Sequence, residues 1–164
     1  MKKVICILLS THFLGLVSNV VRANPPVIGW VEWVIVSDQK YRFNAKIDTG
    51  ADNTSMHVDN YDLFDKNDGK WVRFTFKDNN GKDVALERKL VRISKIKRKL
   101  LPAVERPVVN MIVCIGNVQK EVSVNLVNRN KFHHKMLIGR SYLKSTFLVD
   151  SGTENTTEPR CQPD

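Results

Sequence analysis

The motif Asp-Thr-Gly-Ala-Asp at residues 48–52 contains carboxylates whose type and spacing could support catalysis. It follows residues 43–47, Phe-Asn-Ala-Lys-Ile, in which apolar side chains alternate as they do along a β-strand. A carboxylate at a strand end, followed by a glycine that lets the chain turn sharply, is projected from a rigid sheet. Asp48 is therefore placed as a catalytic acid would be, although Asp-Thr-Gly also occurs in ordinary turns.

The segments around this motif predict a single, mostly β domain. Short apolar runs are separated by turn residues, and the pair Asn80-Gly81 favours a hairpin. Turns recur too often for βαβ units, and the sequence has no internal repeat or long amphipathic helix. The predicted strands are residues 27–36, 41–47, 71–76, 84–96, 108–115, 121–127, 136–138 and 146–149, with one helical turn at residues 141–145.

The N-terminal residues have the pattern of a secretory signal peptide. Lys2 and Lys3 precede a mostly apolar stretch at residues 4–21, and Val-Arg-Ala at residues 21–23 provides a small-residue cleavage site. We therefore expect an exported protein, periplasmic or secreted, whose signal peptide (residues 1–23) is cleaved after Ala23. No stable membrane span would remain after cleavage, and an uncleaved anchor is the alternative.

Cleavage at this point would leave one domain and a tail. Residues 24–150 contain every predicted strand, whereas residues 151–164 lack periodicity and are predicted to be disordered. Three cations leave with the signal peptide, so the formal net charge of +9 falls but stays positive. Much of that charge is concentrated at residues 88–99, which form either a solvated hairpin face or a contact with an acidic partner. No aromatic residues are interleaved there, so we do not expect nucleic acid as a partner.

Two cysteines remain in the mature chain. Cys114 lies in the apolar run at residues 111–115, which predicts a buried strand, and Cys161 lies in the polar tail. We therefore expect one buried thiol and one loose thiol. A disulfide between them is the alternative in an oxidising compartment.

No pattern in the sequence predicts a metal or a cofactor. The mature chain has His57, His133 and His134; the adjacent pair points in different directions in an extended segment, and His57 suits hydrogen bonding or packing better than metal ligation. The motifs His-Glu-x-x-His, paired Cys, Gly-rich phosphate loop and Gly-x-Ser-x-Gly are absent. We therefore expect no cofactor.

A second motif connects Asp48 to a known family. Met-Leu-Ile-Gly-Arg at residues 136–140 has the form of the second signature of retropepsins, in which large apolar residues precede Gly and Arg. The chain resembles the retropepsin-like aspartic peptidases labelled RimB-like or ATP-dependent zinc protease. The matching segments, in the same order as in that family, are residues 28–32, 46–57, 106–109, 132–143 and 147–150.

The resemblance implies an all-β fold: a closed retropepsin-like (acid protease) β-barrel half-domain with a flap hairpin and one short C-terminal helix. A retropepsin subunit supplies one catalytic carboxylate, so the resemblance implies a homodimer and an aspartic endopeptidase that activates water between two copies of Asp48. The implied roles are catalytic for Asp48, Thr49 and Gly50, substrate-binding for Ala51, Asp52, Ile138 and Gly139, and a structural ion pair for Asp52 with Arg140.

The flap is expected between Leu90 and Pro107, where the basic residues Lys95, Lys97, Arg98 and Lys99 would lie over the cleft. This placement predicts a peptide or protein substrate, with a preference for acidic sequences. Two other hypotheses remain open: a catalytically silent retropepsin-fold binding or regulatory module, and, with less support, a zinc metallopeptidase. ATP dependence has no motif to support it.

Overall fold

A computed structural model describes residues 24–36, 41–96 and 103–161. The predicted signal peptide, residues 1–23, lies outside these ranges. The helical residues within them are too few to cross a membrane. In chain order the elements are β1 (Val27–Val36), β2 (Tyr41–Ile47), β3 (Thr54–His57), β4 (Asn60–Lys66), β5 (Gly69–Lys77), β6 (Asp83–Ile96), β7 (Val104–Ile115), β8 (Val118–Val127), β9 (Met136–Ile138), α1 (Arg140–Leu143) and β10 (Leu148–Glu154).

All of these strands belong to one sheet that curls onto itself. Its order is β10-β1-β2-β9-β3-β8-β7-β6-β5-β4, and β1 also pairs with β7 through Ile35–Cys114 and Val36–Val113. The extra pairing closes a ring formed by β1, β2, β9, β3, β8 and β7. The all-β fold with one short helix, expected from the sequence, is confirmed.

Alternation along the strands builds the core inside this ring. Phe43, Ala45 and Ile47 of β2 are buried in it. Since successive side chains of a strand point to opposite faces, Lys46 and Asp48 project on the other side of the sheet. The register that fills the core thus also decides where Asp48 emerges.

Strands β3 and β4 were not predicted from the sequence, and the two reasons are opposite. All four residues of β3 are buried, so this strand shows no alternation of apolar and polar residues. No residue of β4 is fully buried, since it forms one edge of the sheet and pairs only with β5 among the described elements. A period-2 pattern signals a strand only when one face is buried and the other is exposed.

The prediction of a disordered tail from residue 151 is wrong as far as residue 161. β10 extends to Glu154 and runs parallel to β1, with Val27 opposite Leu148. Farther on, the backbone N–H of Arg160 donates to the carbonyl oxygen of Gly116 at 2.6 Å. Residues 155–161 therefore form an ordered segment, here termed the C-terminal belt, that is held by polar contacts and so leaves no apolar periodicity in the sequence.

Glu32 of β1 anchors the belt. Its side chain is fully buried and accepts hydrogen bonds from the backbone N–H groups of Gly29 (2.7 Å), Thr156 (3.0 Å) and Thr157 (3.0 Å), and from both threonine hydroxyls. Burial alone would raise the pKa of Glu32, but these donors favour the ionised form and together lower the pKa below its ordinary value. From the sequence, no role was predicted for Glu32 beyond its place in a segment that resembles the family.

The expectation of two free thiols is also wrong. Cys114 of β7 and Cys161 of the belt form a disulfide, which was the alternative left open by the sequence. The belt carries Cys161 back to the β7–β8 turn, where its backbone N–H approaches the Cys114 sulfur at 3.3 Å. The pairing could not be expected while the tail was taken as disordered.

Reducing the Cys114–Cys161 disulfide should destabilise the fold. The bridge closes a loop with a sequence separation of 47 residues, so we expect the free energy of unfolding to fall by about 2–4 kcal/mol. Thermal melts with and without dithiothreitol measure this loss. The variant carrying both Cys114→Ser and Cys161→Ser is the control, because its melting temperature should not respond to reductant. Equal melting temperatures of the wild type in both conditions would contradict the bridge.

Replacing Glu32 should destabilise the protein at neutral pH and much less in acid. The folded-state pKa of Glu32 lies below the unfolded value, so its stabilisation is present above that unfolded value and disappears as the pH falls through the folded-state pKa. We expect Glu32→Gln to cost about 1–3 kcal/mol at pH 7. Urea unfolding from pH 7 to pH 3 should show the two proteins converging, whereas Glu158→Gln, an exposed change in the same belt, should have little effect. A constant gap across this range would show that ionisation of Glu32 is not what holds the belt.

Candidate active site

Strand β9 fixes the Asp48 loop by lying between β2 and β3. It pairs in parallel with β2, where Ile47 is opposite Ile138, and antiparallel with β3, where Ser55 is opposite Leu137. The backbone N–H of Asp48 also donates to the carbonyl oxygen of Ile138 at 2.9 Å. The point at which the loop leaves the sheet is therefore set by a strand from the far end of the chain.

The loop orients the Asp48 carboxylate through its own backbone. The N–H of Gly50 donates to Oδ1 of Asp48 at 3.0 Å, and the N–H of Ala51 donates to the Asp48 carbonyl oxygen at 3.2 Å. A Cβ on residue 50 would lie only 3.2 Å from the same Oδ1, so glycine gives the carboxylate the space it needs. The Asp48 side chain is 27% exposed, and Thr49 and Gly50 are exposed beside it. The carboxylate is thus both held and accessible.

Gly139 allows the second motif to lie directly against the first. A Cβ at this position would sit 2.6 Å from the backbone carbon and oxygen of Asn53, a distance that no side chain can occupy. The N–H of Gly139 approaches the Thr54 hydroxyl at 3.3 Å, and the N–H of Arg140 donates to the Ala51 carbonyl oxygen at 2.9 Å. The two motifs identified in the sequence therefore form one hydrogen-bonded unit.

Arg140 joins both ends of the Asp48 loop. Its Nη2 forms the expected ion pair with Asp52, and its Nη1 donates to the carbonyl oxygen of Thr49 at 2.8 Å. Two donors aimed in different directions from one planar group are a property of Arg that Lys does not share. Because both partners of the ion pair are exposed, we assign it to positioning of the loop and expect little gain in overall stability.

Ile138 does not occupy the substrate-facing position that was predicted for it. Strand alternation buries Ile138 completely in the core and turns Leu137 to the other side. Leu137 lies opposite Lys46 in the register of β9 with β2, and opposite Ser55 in the register of β9 with β3. We name the surface formed by Lys46, Leu137 and Ser55 the cleft face. Asp48 belongs to this face, and the ammonium group of Lys46 is 3.7 Å from its Oδ2.

Arg129 is a residue near the cleft face that sequence reasoning missed. Its Nη1 donates to the Ser55 hydroxyl at 3.2 Å, and its Nε donates to the His134 carbonyl oxygen at 3.1 Å. The residue is only 8% exposed. It stands in a polar run that is typical of an exposed loop, so the sequence held no signal of its burial.

His57 has the hydrogen-bonding role expected for it. Its Nδ1 accepts the backbone N–H of Arg129 at 2.9 Å, so the neutral ring carries its proton on Nε2, which lies 3.1 Å from Oδ1 of Asp59. The ring thereby connects the end of β3 to the segment that holds Arg129. Within the part of the chain that the structure describes, no three His, Cys, Asp or Glu side chains are grouped so as to hold a metal ion.

The hairpin β6–β7 lies where the flap was predicted. Its strands pair from Leu90 opposite Val109 to Ile96 opposite Val104. Lys95 forms an exposed ion pair with Glu105 at 3.1 Å. The tip that was expected to carry Lys97, Arg98 and Lys99 lies outside the described residues.

Comparisons with known proteins identify a family for this chain and a solved structure that resembles it. Residues 27–160 match the RimB-like family, described as retropepsin-like aspartic endopeptidase RimB. A crystal structure of a protein of unknown function from Legionella pneumophila subsp. pneumophila has a TM-score of 0.71 and 31% sequence identity to this chain. That match covers 82% of this chain and 100% of the Legionella chain.

Two curated relatives carry a different name. Proteins from Shewanella pealeana and Shewanella halifaxensis, each named probable alpha-L-glutamate ligase, are 29% and 28% identical to this chain over 131 residues. Each match covers 77% of this chain but 29% of the relative, so the chain spans less than a third of their length. The ligase name therefore describes proteins that are mostly made of sequence outside the match.

The substitution Arg140→Lys should loosen the Asp48 loop while leaving the fold intact. Lys has a single side-chain nitrogen and cannot reproduce the two guanidinium nitrogens that reach Thr49 and Asp52 separately, so the loop should be held less firmly. We expect the free energy of unfolding to change by less than about 1 kcal/mol, because the pair is exposed. Hydrogen–deuterium exchange should become faster in peptides covering residues 48–53 and stay unchanged in those covering β7. Unaltered exchange at residues 48–53 would refute this role.

Proposed function

Because the chain belongs to the RimB-like family of retropepsin-like aspartic endopeptidases, we propose that it hydrolyses peptide bonds as a homodimer. The observation that carries this proposal is the single Asp48 loop, accessible and oriented, locked by Gly139 and Arg140. One such loop is half of an aspartic peptidase site. A second copy of the chain would supply the other half.

In the proposed dimer the two Asp48 carboxylates face each other across a two-fold axis. Two carboxylates at close range share a proton, because ionising both would place like charges together. The ionised carboxylate removes a proton from water as that water attacks the peptide carbonyl carbon, and the protonated one donates to the carbonyl oxygen. The tetrahedral intermediate then collapses, and the amine leaves with a proton returned from the dyad.

The exposed end of the loop would form the contact between subunits. Thr49 and Gly50 extend from the sheet and are exposed in the single chain, so they are accessible to a second subunit. The Thr49 carbonyl is already fixed by Arg140, so its hydroxyl would meet the axis in a defined place. Ala51, Asp52 and Gly139 lie alongside and would bind the backbone of a peptide.

The hairpin β6–β7 is proposed as the flap that closes over this peptide. Its basic residues favour an acidic peptide or protein as the substrate. The Cys114–Cys161 disulfide supports export, since such bridges persist in oxidising compartments and are rare in the cytosol. The proposed location is therefore periplasmic or secreted.

Asp48→Asn should abolish cleavage without affecting the fold. We expect peptide hydrolysis by residues 24–164 to fall at least 10²–10⁴-fold, roughly the contribution of a general acid–base group. A peptide library assayed from pH 3 to pH 8 measures this, with Asp65→Asn, an exposed change on β4, as the matched control. A pepstatin-type inhibitor should block the activity and a chelator should not. Sensitivity to chelator would instead favour a zinc peptidase, and a folded dimer that cleaves nothing would favour a binding module.

Mixing wild-type and Asp48→Asn chains tests whether both subunits build the site. Hybrid dimers contain one acid and should be inactive. An equal mixture that has exchanged subunits should keep about a quarter of the activity of the same total amount of wild type. Retention of about half would show that each chain works alone.

A further inference from the structure

Arg129 is a buried cation that forms no ion pair with any residue that the structure describes. Its side chain is more than nine-tenths buried, and its recorded hydrogen bonds go to the neutral acceptors Ser55 Oγ and His134 O. Among the described residues, no carboxylate lies within ion-pair distance of its guanidinium. Buried charges in proteins are normally paired, because taking an ion out of water is costly. An arginine kept in this state indicates that its partner is supplied from elsewhere.

The electrostatic surroundings of Arg129 support the same conclusion. Burial, and after it the positive charge of Arg106, lower the pKa of the Arg129 guanidinium below its ordinary value, whereas Asp48 acts in the opposite direction. The Asp48 carboxylate therefore attracts this guanidinium, although the two groups form no ion pair. An anion brought close to Arg129 would relieve the cost of its burial.

Arg129 lies against the cleft face, to which Asp48 also belongs. Its contact Ser55 belongs to the cleft face, opposite Leu137 on β9, and Leu137 is in turn level with Lys46 on β2. Lys46 already contacts Asp48. The Arg129 guanidinium therefore lies on the same side of the sheet as the Asp48 carboxylate. It contacts β3, which is two strands away from β2, the strand that leads into Asp48.

Contacts to its backbone and to its side chain fix the position of Arg129. Its backbone N–H is held by His57 Nδ1, and the opposite nitrogen of that ring is held by Asp59. The ring of Phe132 lies 4.6 Å from the centre of the guanidinium and covers it. Nε and Nη1 donate the hydrogen bonds to His134 and Ser55, so Nη2 remains available to donate to a ligand. A rigid guanidinium of this kind is a better selector of a carboxylate than a flexible lysine.

We propose that Arg129 is a specificity-determining residue that binds a substrate carboxylate within the peptide cleft. The inference rests on the proposed peptidase function and names the group through which an acidic peptide would be selected. A peptide offers a carboxylate either on an Asp or Glu side chain or at its own C-terminus. Both sources present the same planar anion to the guanidinium, and the test separates them.

The first arm uses cleavage by the wild type, Arg129→Gln and Arg129→Lys. Blocked peptides with an acetylated N-terminus and an amidated C-terminus carry Glu or Gln at each position around the scissile bond. A second set carries only Gln and compares a free with an amidated C-terminus. We expect the wild type to favour one carboxylate by roughly tenfold to a hundredfold in kcat/KM, mostly through KM, and Arg129→Gln to lose that preference. Arg129→Lys should keep part of it, and Arg73→Gln on β5 should keep all of it.

The second arm measures binding without catalysis. Calorimetry compares each Glu-containing or free C-terminal peptide of the two sets with its amide counterpart, on Asp48→Asn and on the double variant Asp48→Asn/Arg129→Gln. Tighter binding of the acidic peptide to the single variant alone supports the proposal even if no cleavage is ever detected, in which case only the peptidase function fails.

Two results would overturn the role of Arg129. One is a folded wild type that treats every carboxylate and its amide alike. The other is a preference that survives in Arg129→Gln. Both leave the peptidase proposal standing if Asp48-dependent cleavage is observed, so the two failures are distinguishable. Should Arg129→Gln not fold, the wild-type and Arg129→Lys comparisons still decide the question.

Discussion

Strand β9 holds the candidate site together because it pairs with both β2 and β3. It lies between β2 and β3, yet strands β3 to β8 separate it from β2 in sequence. Parallel pairing with β2 requires such a long connection. The absence of a side chain on Gly139 then lets the backbones of the two motifs lie in direct contact at Asn53. The candidate site is therefore a consequence of long-range pairing, on which the geometry of the Asp48 loop depends.

The two buried charges of Glu32 and Arg129 have different roles in this protein. Glu32 is an anion whose oxygens are fully supplied with donors from Gly29, Thr156 and Thr157, so it serves structure and leaves nothing to offer a ligand. Arg129 is a cation whose side-chain hydrogen bonds, within the described part of the chain, go only to neutral acceptors. An uncompensated buried charge is costly, and under our proposal a substrate carboxylate would offset that cost. The buried charge of Glu32 thus holds the belt in place, whereas the buried charge of Arg129 would be paired by a substrate in the cleft.

The sequence predicted those parts of the molecule that depend on local pattern. Alternation located β1, β2 and the hairpins of β5 to β8, and the spacing of Asp48 and Arg140 identified the two halves of the site. It failed where polar contacts replace apolar periodicity, as in the belt held by Glu32 and in the disulfide at Cys161 that depends on the belt. It also failed at Arg129, since burial of a polar residue is set by what packs over it in three dimensions and not by its neighbours in the chain.

Symmetry would give the Arg129 position a particular meaning in the proposed dimer. A two-fold axis through the paired Asp48 loops duplicates every group of the cleft face, so a guanidinium would lie on each side of the scissile bond. A peptide has direction and cannot present identical groups to both halves. One Arg129 would therefore meet residues before the bond and its copy residues after it, and a peptide with carboxylates on both sides would engage the whole site. Each half of such a dimer would thereby contribute a means of selection as well as an acid.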